Sequence, residues 1–196
     1  NSLVVLNHKL EIISYYNKLN LVPFGEFLPF ENILAKLGFK KITSGYSSFS
    51  PGDKRQLINL GESFNENTIL PLICYEIIYS GGIKRSDEKP DLVINISEDA
   101  WFGDSIGPYQ HYDKAIFRSV EEGVFIARAA NKGFSGFIDP NGKSIKFLER
   151  SESGNVEFKM PEFYKPTLFS KYGNKIFFLM ILLYIFLSLI LKKFKI

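Results

Sequence analysis

The single cysteine of the chain, Cys74, has the surroundings expected of a nucleophile. It follows the apolar run Ile69–Ile73, which is typical of a buried strand, and a carboxylate, Glu76, comes two residues later. A thiol at the tip of a buried strand can be held rigidly with its sulfur facing a pocket. A free cysteine is more commonly a small buried hydrophobic residue, and the spacing here does not separate the two interpretations.

The two histidines are weak candidates for the base that a cysteine nucleophile needs. His8 lies in a tight turn between two predicted strands and is expected to face solvent. His111 opens a predicted helix after a Gly-Pro loop, where a histidine more often caps or packs than accepts a proton. The base is therefore sought among carboxylates and lysines.

A lysine and a glutamate, Lys18 and Glu26, lie eight residues apart in an aromatic and apolar segment. If both side chains are buried they must pair, because an isolated buried ammonium costs too much free energy. A buried lysine that is kept positive in this way can donate a hydrogen bond to a developing oxyanion. The alternative is an ordinary surface lysine and glutamate.

Two aromatic residues, Trp101 and Phe102, follow the predicted strand Leu92–Ser97 on a loop. They could form the wall of a pocket for an apolar substrate, although ordinary core packing explains them equally well. The sequence has no metal-ligand spacing and no glycine-rich phosphate loop. We therefore expect neither a metal nor a cofactor.

The elements that must position these residues alternate between strands and helices. Strands are predicted over Leu3–Leu6, Glu11–Tyr15, Gln56–Leu60, Ile69–Tyr75, Leu92–Ser97, Val124–Ala130, Ser135–Ile138, Lys143–Leu148 and Asn155–Lys159. Helices are predicted over Glu31–Lys40, Glu76–Lys84 and Gln110–Glu122. This mixture indicates a layered α/β domain over residues 1–160.

The C-terminal region differs from this domain in composition. After a linker at 161–175, the run Ile176–Leu191 has 16 residues without a charge, just below the roughly 17 to 25 of a membrane-spanning helix. Flanking lysines can extend such a span, so we predict a transmembrane helix at 176–191 and a buried core helix as the alternative. The basic tail 192–196 favours a cytoplasmic C-terminus, with the preceding domain on the outer side.

The charge distribution argues against nucleic acid as a partner. The net charge of +3 is accounted for by Lys192, Lys193 and Lys195, and the rest of the chain carries 21 basic and 21 acidic residues. A nucleic-acid-binding domain would spread a basic surplus over its folded surface.

Several of these segments together resemble the carbon-nitrogen hydrolase (nitrilase) superfamily, and within it the apolipoprotein N-acyltransferases. The segments occur in the family's order: Tyr16-Asn17-Lys18, Leu21–Glu26, Cys74-Tyr75-Glu76, Ala100–Gly103, Gly107-Pro108, Gln110-His111, Arg128, Asn131 and Gly133. The resemblance covers nearly the whole chain, including the final apolar helix. It favours the nucleophile over the buried hydrophobic residue as the role of Cys74.

The resemblance implies a four-layer α-β-β-α sandwich and a Glu–Lys–Cys triad. Cys74 matches the nucleophile and Lys18 matches the lysine that stabilises the oxyanion. Glu26 and Glu76 match further carboxylates of the site, and three residues match aromatics linked to activity, namely Tyr75, Trp101 and Phe102. The triad glutamate lies upstream in the family and has no counterpart here, so the chain is expected to be a C-terminal portion that is inactive alone.

The same resemblance implies a reaction and its partners. A phospholipid would donate an acyl chain to Cys74 as a thioester, and the N-terminal amine of a diacylglyceryl-cysteine apolipoprotein would accept it. The enzyme would be a multi-pass protein of the bacterial inner membrane with its catalytic domain on the periplasmic side. Glu98 departs from the family, in which a small polar residue such as Asn is more usual at this position.

Two other functions remain compatible with the sequence. A membrane-tethered amidase or nitrilase would use the same cysteine to hydrolyse small amides with water as the acceptor. A membrane-anchored binding domain without catalytic activity would not need the cysteine at all. The Trp-Phe-Gly loop and the terminal apolar helix favour the lipid substrate over small amides, and a binding domain would keep its function in Cys74→Ser.

Overall fold

The fold combines a two-stranded hairpin, a mixed sheet and helices. It was obtained as a computed structural model that describes residues 1–41, 48–61, 67–81, 89–161 and 167–193. The strands are β1 (Ser2–Leu6), β2 (Ile12–Asn17), β3 (Ile58–Asn59), β4 (Thr68–Ile73), β5 (Leu92–Glu98), β6 (Phe125–Asn131), β7 (Ser135–Ile138) and β8 (Ser144–Leu148). The α-helices are α1 (Glu31–Leu34), α2 (Gly107–Glu122), α3 (Leu168–Tyr172) and α4 (Lys175–Lys193), and 3₁₀ helices cover Cys74–Ile78 and Asp99–Phe102.

The main sheet has the strand order β3-β4-β5-β6-β7-β8. The central strands β4, β5 and β6 are parallel, and the flanking strands pair antiparallel. Because the carboxyl ends of parallel strands meet at one edge of a sheet, the segments that follow β4 and β5 lie side by side. Cys74 begins the first of these segments and Asp99 begins the second.

The two faces of this sheet are covered by different layers. Along β4, Leu70 and Leu72 join the buried cluster beneath α2, whereas Ile69 and Ile73 join the cluster that contains the hairpin residues Leu3 and Tyr16. This alternation follows from the two-residue period of a strand. The described layers are therefore helix, sheet and hairpin, which is an α-β-β arrangement.

Three predicted elements differ from the structure for identifiable reasons. The helix predicted over Glu31–Lys40 is limited to Glu31–Leu34, because none of its residues is buried and short unsupported helices are marginal. The strand predicted through Tyr75 ends at Ile73, where the chain turns. No strand forms over 155–159, where the Phe158 ring packs against Phe125 and Phe137 instead.

The C-terminal region is more helical than predicted. The predicted linker 161–175 contains α3, and α4 extends the predicted helix 176–191 at both ends. Residues 175–192 have a mean hydropathy of 2.3, and none of this window is buried in the protein. With a rise of about 1.5 Å per residue the helix is roughly 28 Å long, close to the hydrocarbon thickness of a bilayer. The helix predicted over 76–84 is a 3₁₀ helix that ends at Ile78, and residues 79–81 are not helical. Residues 82–84 and the tail residues 194–196 lie outside the described residues.

Candidate active site

Cys74 lies on a sharp turn between β4 and the 3₁₀ helix Cys74–Ile78. Its φ of 53° is in the left-handed region, which non-glycine residues seldom adopt and which costs on the order of 1–3 kcal/mol. The residue is half-buried, and it packs against the cluster that contains Leu3 and Tyr16. Strained backbone conformations of this kind cluster at active sites, so the conformation makes Cys74 a candidate functional residue.

The Glu76 network joins this turn to the segment that carries Lys18. The Glu76 carboxylate accepts hydrogen bonds from the Tyr16 hydroxyl (2.7 Å) and from the backbone N–H groups of Leu19 and Asn20 (3.0 Å each). Its other oxygen accepts from the N–H of Ile73 at 2.8 Å. Because Glu76 is only 1% exposed, these bonds replace water as its partners. One carboxylate thus fixes the turn at Cys74 against the end of β2.

Lys18 and Glu26 form the buried ion pair that the sequence made possible. Lys18 is 2% exposed, and its Nζ lies 2.8 Å from both carboxylate oxygens of Glu26. Glu26 also accepts from the Val22 N–H at 2.8 Å and from the Asn1 side-chain amide. The surface alternative is therefore wrong, and the ammonium is held in the interior beside the Glu76 network.

Burial changes the pKa of Tyr16. Removal from solvent, together with the hydrogen bond to Glu76 and the negative charge of that carboxylate, raises the pKa of Tyr16 to about 12. The phenol is therefore a neutral donor to Glu76 across the physiological range.

The Asp99 network occupies the other side of the turn, on the α2 face of the sheet. Asp99 Oδ1 lies 2.9 Å from His111 Nδ1, and Asp99 Oδ2 accepts from Arg128 Nη2 at 2.7 Å. The other ring nitrogen of His111, Nε2, faces the carbonyl oxygen of Cys74 at 3.3 Å. All three side chains of the network are buried.

A row of paired residues connects this network to the centre of the sheet. Leu72, Asn95 and Arg128 are register partners on β4, β5 and β6. Asn95 donates to the Leu72 carbonyl at 3.1 Å and accepts from Arg128 Nη1. The polar side chains therefore link the three parallel strands at the level of Leu72, two residues before Cys74.

Asp99 remains ionised despite its burial. Burial alone would raise its pKa, but the hydrogen bond with His111, the charge of Arg128 and the hydrogen bond from Ser97 together lower it below the ordinary value. A Cβ atom at position 133 would collide with Asp99 Oδ2, which explains the glycine there.

The predicted aromatic residues have different environments. Trp101 is 62% exposed, so its interpretation as a core residue is wrong. The Phe102 ring packs edge-on against His111 at 5.6 Å, and the Tyr75 ring packs edge-on against Tyr79 at 5.9 Å. Phe102 thus contacts the Asp99 network, whereas Trp101 projects from the same 3₁₀ helix.

Two further predictions can be compared with the structure. His8 is exposed, as expected. The Glu98 carboxylate accepts two hydrogen bonds from the Asn131 amide, at 2.9 and 3.0 Å, and one from the Ala100 N–H. It therefore ties the ends of β5 and β6 together. Among the described residues, no group of three or more His, Cys, Asp and Glu side chains is placed to hold a metal ion.

Sequence reasoning missed the contact between His111 and Cys74. His111 was interpreted as a capping or packing residue, and nothing in its spacing placed it near the nucleophile. A usable signal was present in the strands, because Asn95 and Arg128 interrupt the apolar runs of β5 and β6. Buried polar residues inside apolar strands must be paired, so their partners lie at the same level of the sheet.

Similar solved structures share the fold of this chain. A carbon-nitrogen hydrolase from Helicobacter pylori G27 aligns with a TM-score of 0.57 and 13% identity, over 78% of this chain and 53% of that one. A mutant of the amidase from Nesterenkonia sp. AN1, with the acetamide moiety of fluoroacetamide on its active-site cysteine, aligns with a TM-score of 0.53 and 19% identity, over 76% and 50%. At these identities the likeness concerns the fold, which is the nitrilase-like α/β fold with a mixed sheet.

Similar sequences carry one name. The apolipoprotein N-acyltransferase of Bradyrhizobium diazoefficiens is 37% identical over 174 residues, which are 89% of this chain and 32% of that protein. That of Rickettsia typhi is 39% identical over 185 residues, which are 94% of this chain and 35% of that protein. The chain thus spans about a third of the length of these relatives. The model of the carbon-nitrogen hydrolase family matches residues 1–158, and the chain belongs to that family.

Proposed function

We propose that the protein containing this chain is an apolipoprotein N-acyltransferase in which Cys74 carries the acyl chain as a thioester. The observation that carries the proposal is the arrangement around the nucleophile turn. A partly accessible cysteine with a left-handed backbone is fixed by Glu76 to the segment that holds the buried Lys18–Glu26 pair. The relatives that are 37% to 40% identical to this chain over the aligned residues bear that name.

The first half of the reaction is acyl transfer to sulfur. The Cys74 thiolate attacks the carbonyl carbon of a phospholipid ester, and the tetrahedral oxyanion is stabilised by the Lys18 ammonium and by backbone N–H groups. The ester C–O bond then breaks, and the lysophospholipid leaves with a proton. The general base is the glutamate that the family places upstream of the strand at Leu3–Leu6. Glu26 binds the Lys18 ammonium, and Glu76 ties the turn at Cys74 to the segment that follows Lys18.

The second half of the reaction regenerates the thiol. The α-amine of a diacylglyceryl-cysteine on the apolipoprotein attacks the thioester carbonyl, an amide forms and the C–S bond breaks. Water must be excluded from the thioester, because hydrolysis would turn the transferase into a lipase. Tyr75, Trp101 and Phe102 supply the aromatic surface along which the acyl chains lie.

The terminal helix brings this chemistry to its lipid substrates. We propose that α4 spans the bacterial inner membrane, with the catalytic domain on the periplasmic side and the basic tail in the cytoplasm. Its length, its apolar surface and the lysines at both ends support a spanning orientation. The multi-pass topology of the whole protein is part of the same proposal.

The decisive experiment follows an acyl chain through the intact protein. The protein is incubated in phosphatidylethanolamine–phosphatidylglycerol vesicles with labelled acyl chains, and the Cys74 peptide is isolated. We expect a hydroxylamine-sensitive label on the Cys74 peptide. When a diacylglyceryl-cysteine peptide is added as the acceptor, the label should move to this acceptor. Cys74→Ser is the control and should form no thioester.

The other two functions predict different results in this assay. An amidase would leave the vesicle lipids intact and would turn over small amides with water. A binding domain without catalysis would keep its function in Cys74→Ser. Either result would contradict the proposed acyl transfer.

A further inference from the structure

Within the Asp99 network, His111 is the residue that contacts the backbone of Cys74. Its Nε2 lies 3.3 Å from the carbonyl oxygen of Cys74, the residue whose φ of 53° creates the turn. A backbone carbonyl only accepts hydrogen bonds, so Nε2 carries a proton and donates it. This bond fixes the peptide plane that follows Cys74, and therefore opposes relaxation of the strained backbone.

The opposite ring nitrogen of His111 faces both Asp99 and Arg128. Nδ1 lies 2.9 Å from Asp99 Oδ1 and 3.2 Å from Arg128 Nη2. Arg128 Nη2 also donates to Asp99 Oδ2 at 2.7 Å. The same carboxylate therefore contacts the imidazole and the guanidinium and fixes their relative positions.

The network is built so that the ring cannot turn. Asp99 has no exposed surface, and His111 is only 4% exposed. The Phe102 ring packs edge-on against the imidazole, and Arg128 is bound on its other side to Asn95. A ring with both nitrogens bonded and one edge packed has a single orientation.

We propose that His111, oriented by Asp99 and Arg128, is a positioning residue that holds the carbonyl of Cys74 and thereby aims its sulfur. This inference deepens the proposed function and rests on it for its catalytic consequence. It assigns His111 no proton transfer to substrate. The expected cost of losing the bond is roughly 10- to 100-fold in the rate of acylation, because small displacements of a reacting atom have effects of this size.

The test compares His111→Phe with His111→Gln in the intact protein. Phenylalanine keeps a ring against Phe102 but cannot donate, whereas glutamine keeps an N–H donor but lacks the ring. We expect His111→Phe to lower kcat for acyl transfer with little change in KM, and His111→Gln to recover part of the loss. Tyr112→Phe is the matched control, because Tyr112 is the neighbour of His111 on α2 and the change removes only its part-buried hydrogen bond with Ser144 of β8.

A second readout separates this inference from the proposed function. Alkylation of Cys74 by iodoacetamide, followed on its peptide by mass spectrometry, needs no lipid substrate. It should slow in His111→Phe and in Asp99→Asn, and proceed at the wild-type rate in Tyr112→Phe. If this pattern holds while the wild type transfers no acyl chain, the positioning role stands and the proposed function fails.

The inference is overturned by one clear result. If alkylation and kcat in the folded variants equal those of the wild type, His111 only stabilises the fold. Asp99→Asn carries the test if His111→Phe does not fold, because it preserves side-chain shape and removes the carboxylate charge that orients His111 and Arg128. An unchanged alkylation rate in folded Asp99→Asn would contradict the proposal equally.

Discussion

The Glu76 network and the Asp99 network hold opposite sides of the same turn by different physical means. Glu76 is bonded mainly to neutral donors, two of them backbone N–H groups next to Lys18. Asp99 is bonded to the ionisable side chains of His111 and Arg128. The first network fixes distances between two chain segments, and the second fixes charge and orientation behind the nucleophile. Loss of the first should therefore disrupt structure more, and loss of the second should disrupt reactivity more.

Glu76→Ala is expected to have the largest effect on stability. It removes the acceptor of several buried hydrogen bonds and the partner of the Arg55 guanidinium, which lies 3.5 Å from the carboxylate. We expect the free energy of unfolding to fall by about 3 to 5 kcal/mol, as when one member of a buried charged pair is removed. Denaturant unfolding of the intact protein measures it. Glu98→Gln, a change at an exposed carboxylate, is the control, and an equal loss in both variants would remove the distinction between the networks.

Tyr16→Phe should remove an alkaline sensitivity that the burial of Tyr16 and its hydrogen bond to Glu76 create. The phenol ionises near pH 10 in the unfolded chain and near pH 12 in the folded one. Its contribution to stability is therefore complete below pH 10 and falls by about 2 to 3 kcal/mol as the pH rises to 12. We expect this part of the loss to be absent in Tyr16→Phe when unfolding is followed across that range. The exposed neighbour Tyr15 supplies the control, since Tyr15→Phe should retain the full loss.

Gly133→Ala should damage the Asp99 network specifically. A methyl group there collides with the Asp99 carboxylate, and overpacking of this kind costs about 1 to 3 kcal/mol. Cys74 alkylation should slow together with the loss of stability. Gly154→Ala is the matched change, because its Cβ would lie at an ordinary 3.6 Å from Leu148. Normal alkylation in a folded Gly133→Ala variant would show that displacement of Asp99 does not reach the nucleophile.

Trp101→Ala lies outside both networks and should affect substrate rather than structure. Because the side chain is 62% exposed, the free energy of unfolding should change by less than about 0.5 kcal/mol. Acyl transfer to the lipopeptide is expected to fall roughly tenfold, with Cys74 acylation retained or slowed. Phe117→Ala, which truncates an exposed aromatic on α2, should leave transfer unchanged. Unchanged turnover in Trp101→Ala would remove this residue from the acyl-binding surface.

The sequence predicted the part of the site whose chemistry is local. Lys18 and Glu26 are close in the chain, and burial of one requires the other, so their pairing follows from their types. The strand before Cys74 and most strands of the sheet follow from apolar runs. The role of Glu76 was suggested only by its resemblance to a site carboxylate, since the partners that join it to the segment of Lys18 are 56 to 60 residues away.

The remaining part depends on register, which no single strand encodes. Asn95 and Arg128 meet because β5 and β6 pair in one register, and His111 reaches Cys74 because α2 packs on that edge of the sheet. The helix predicted at 31–40 shows that local spacing, without tertiary contacts, can also predict too much structure. Its helical spacing is real, but no neighbouring surface buries it, so only one turn persists.

The row Leu72–Asn95–Arg128 has a consequence for how the protein loses activity on heating. Its hydrogen bonds run across β4, β5 and β6, so the nucleophile turn cannot loosen without parting the middle of the sheet. Amides of these strands should exchange with deuterated solvent only through global opening, and thermal inactivation should coincide with melting of the whole domain.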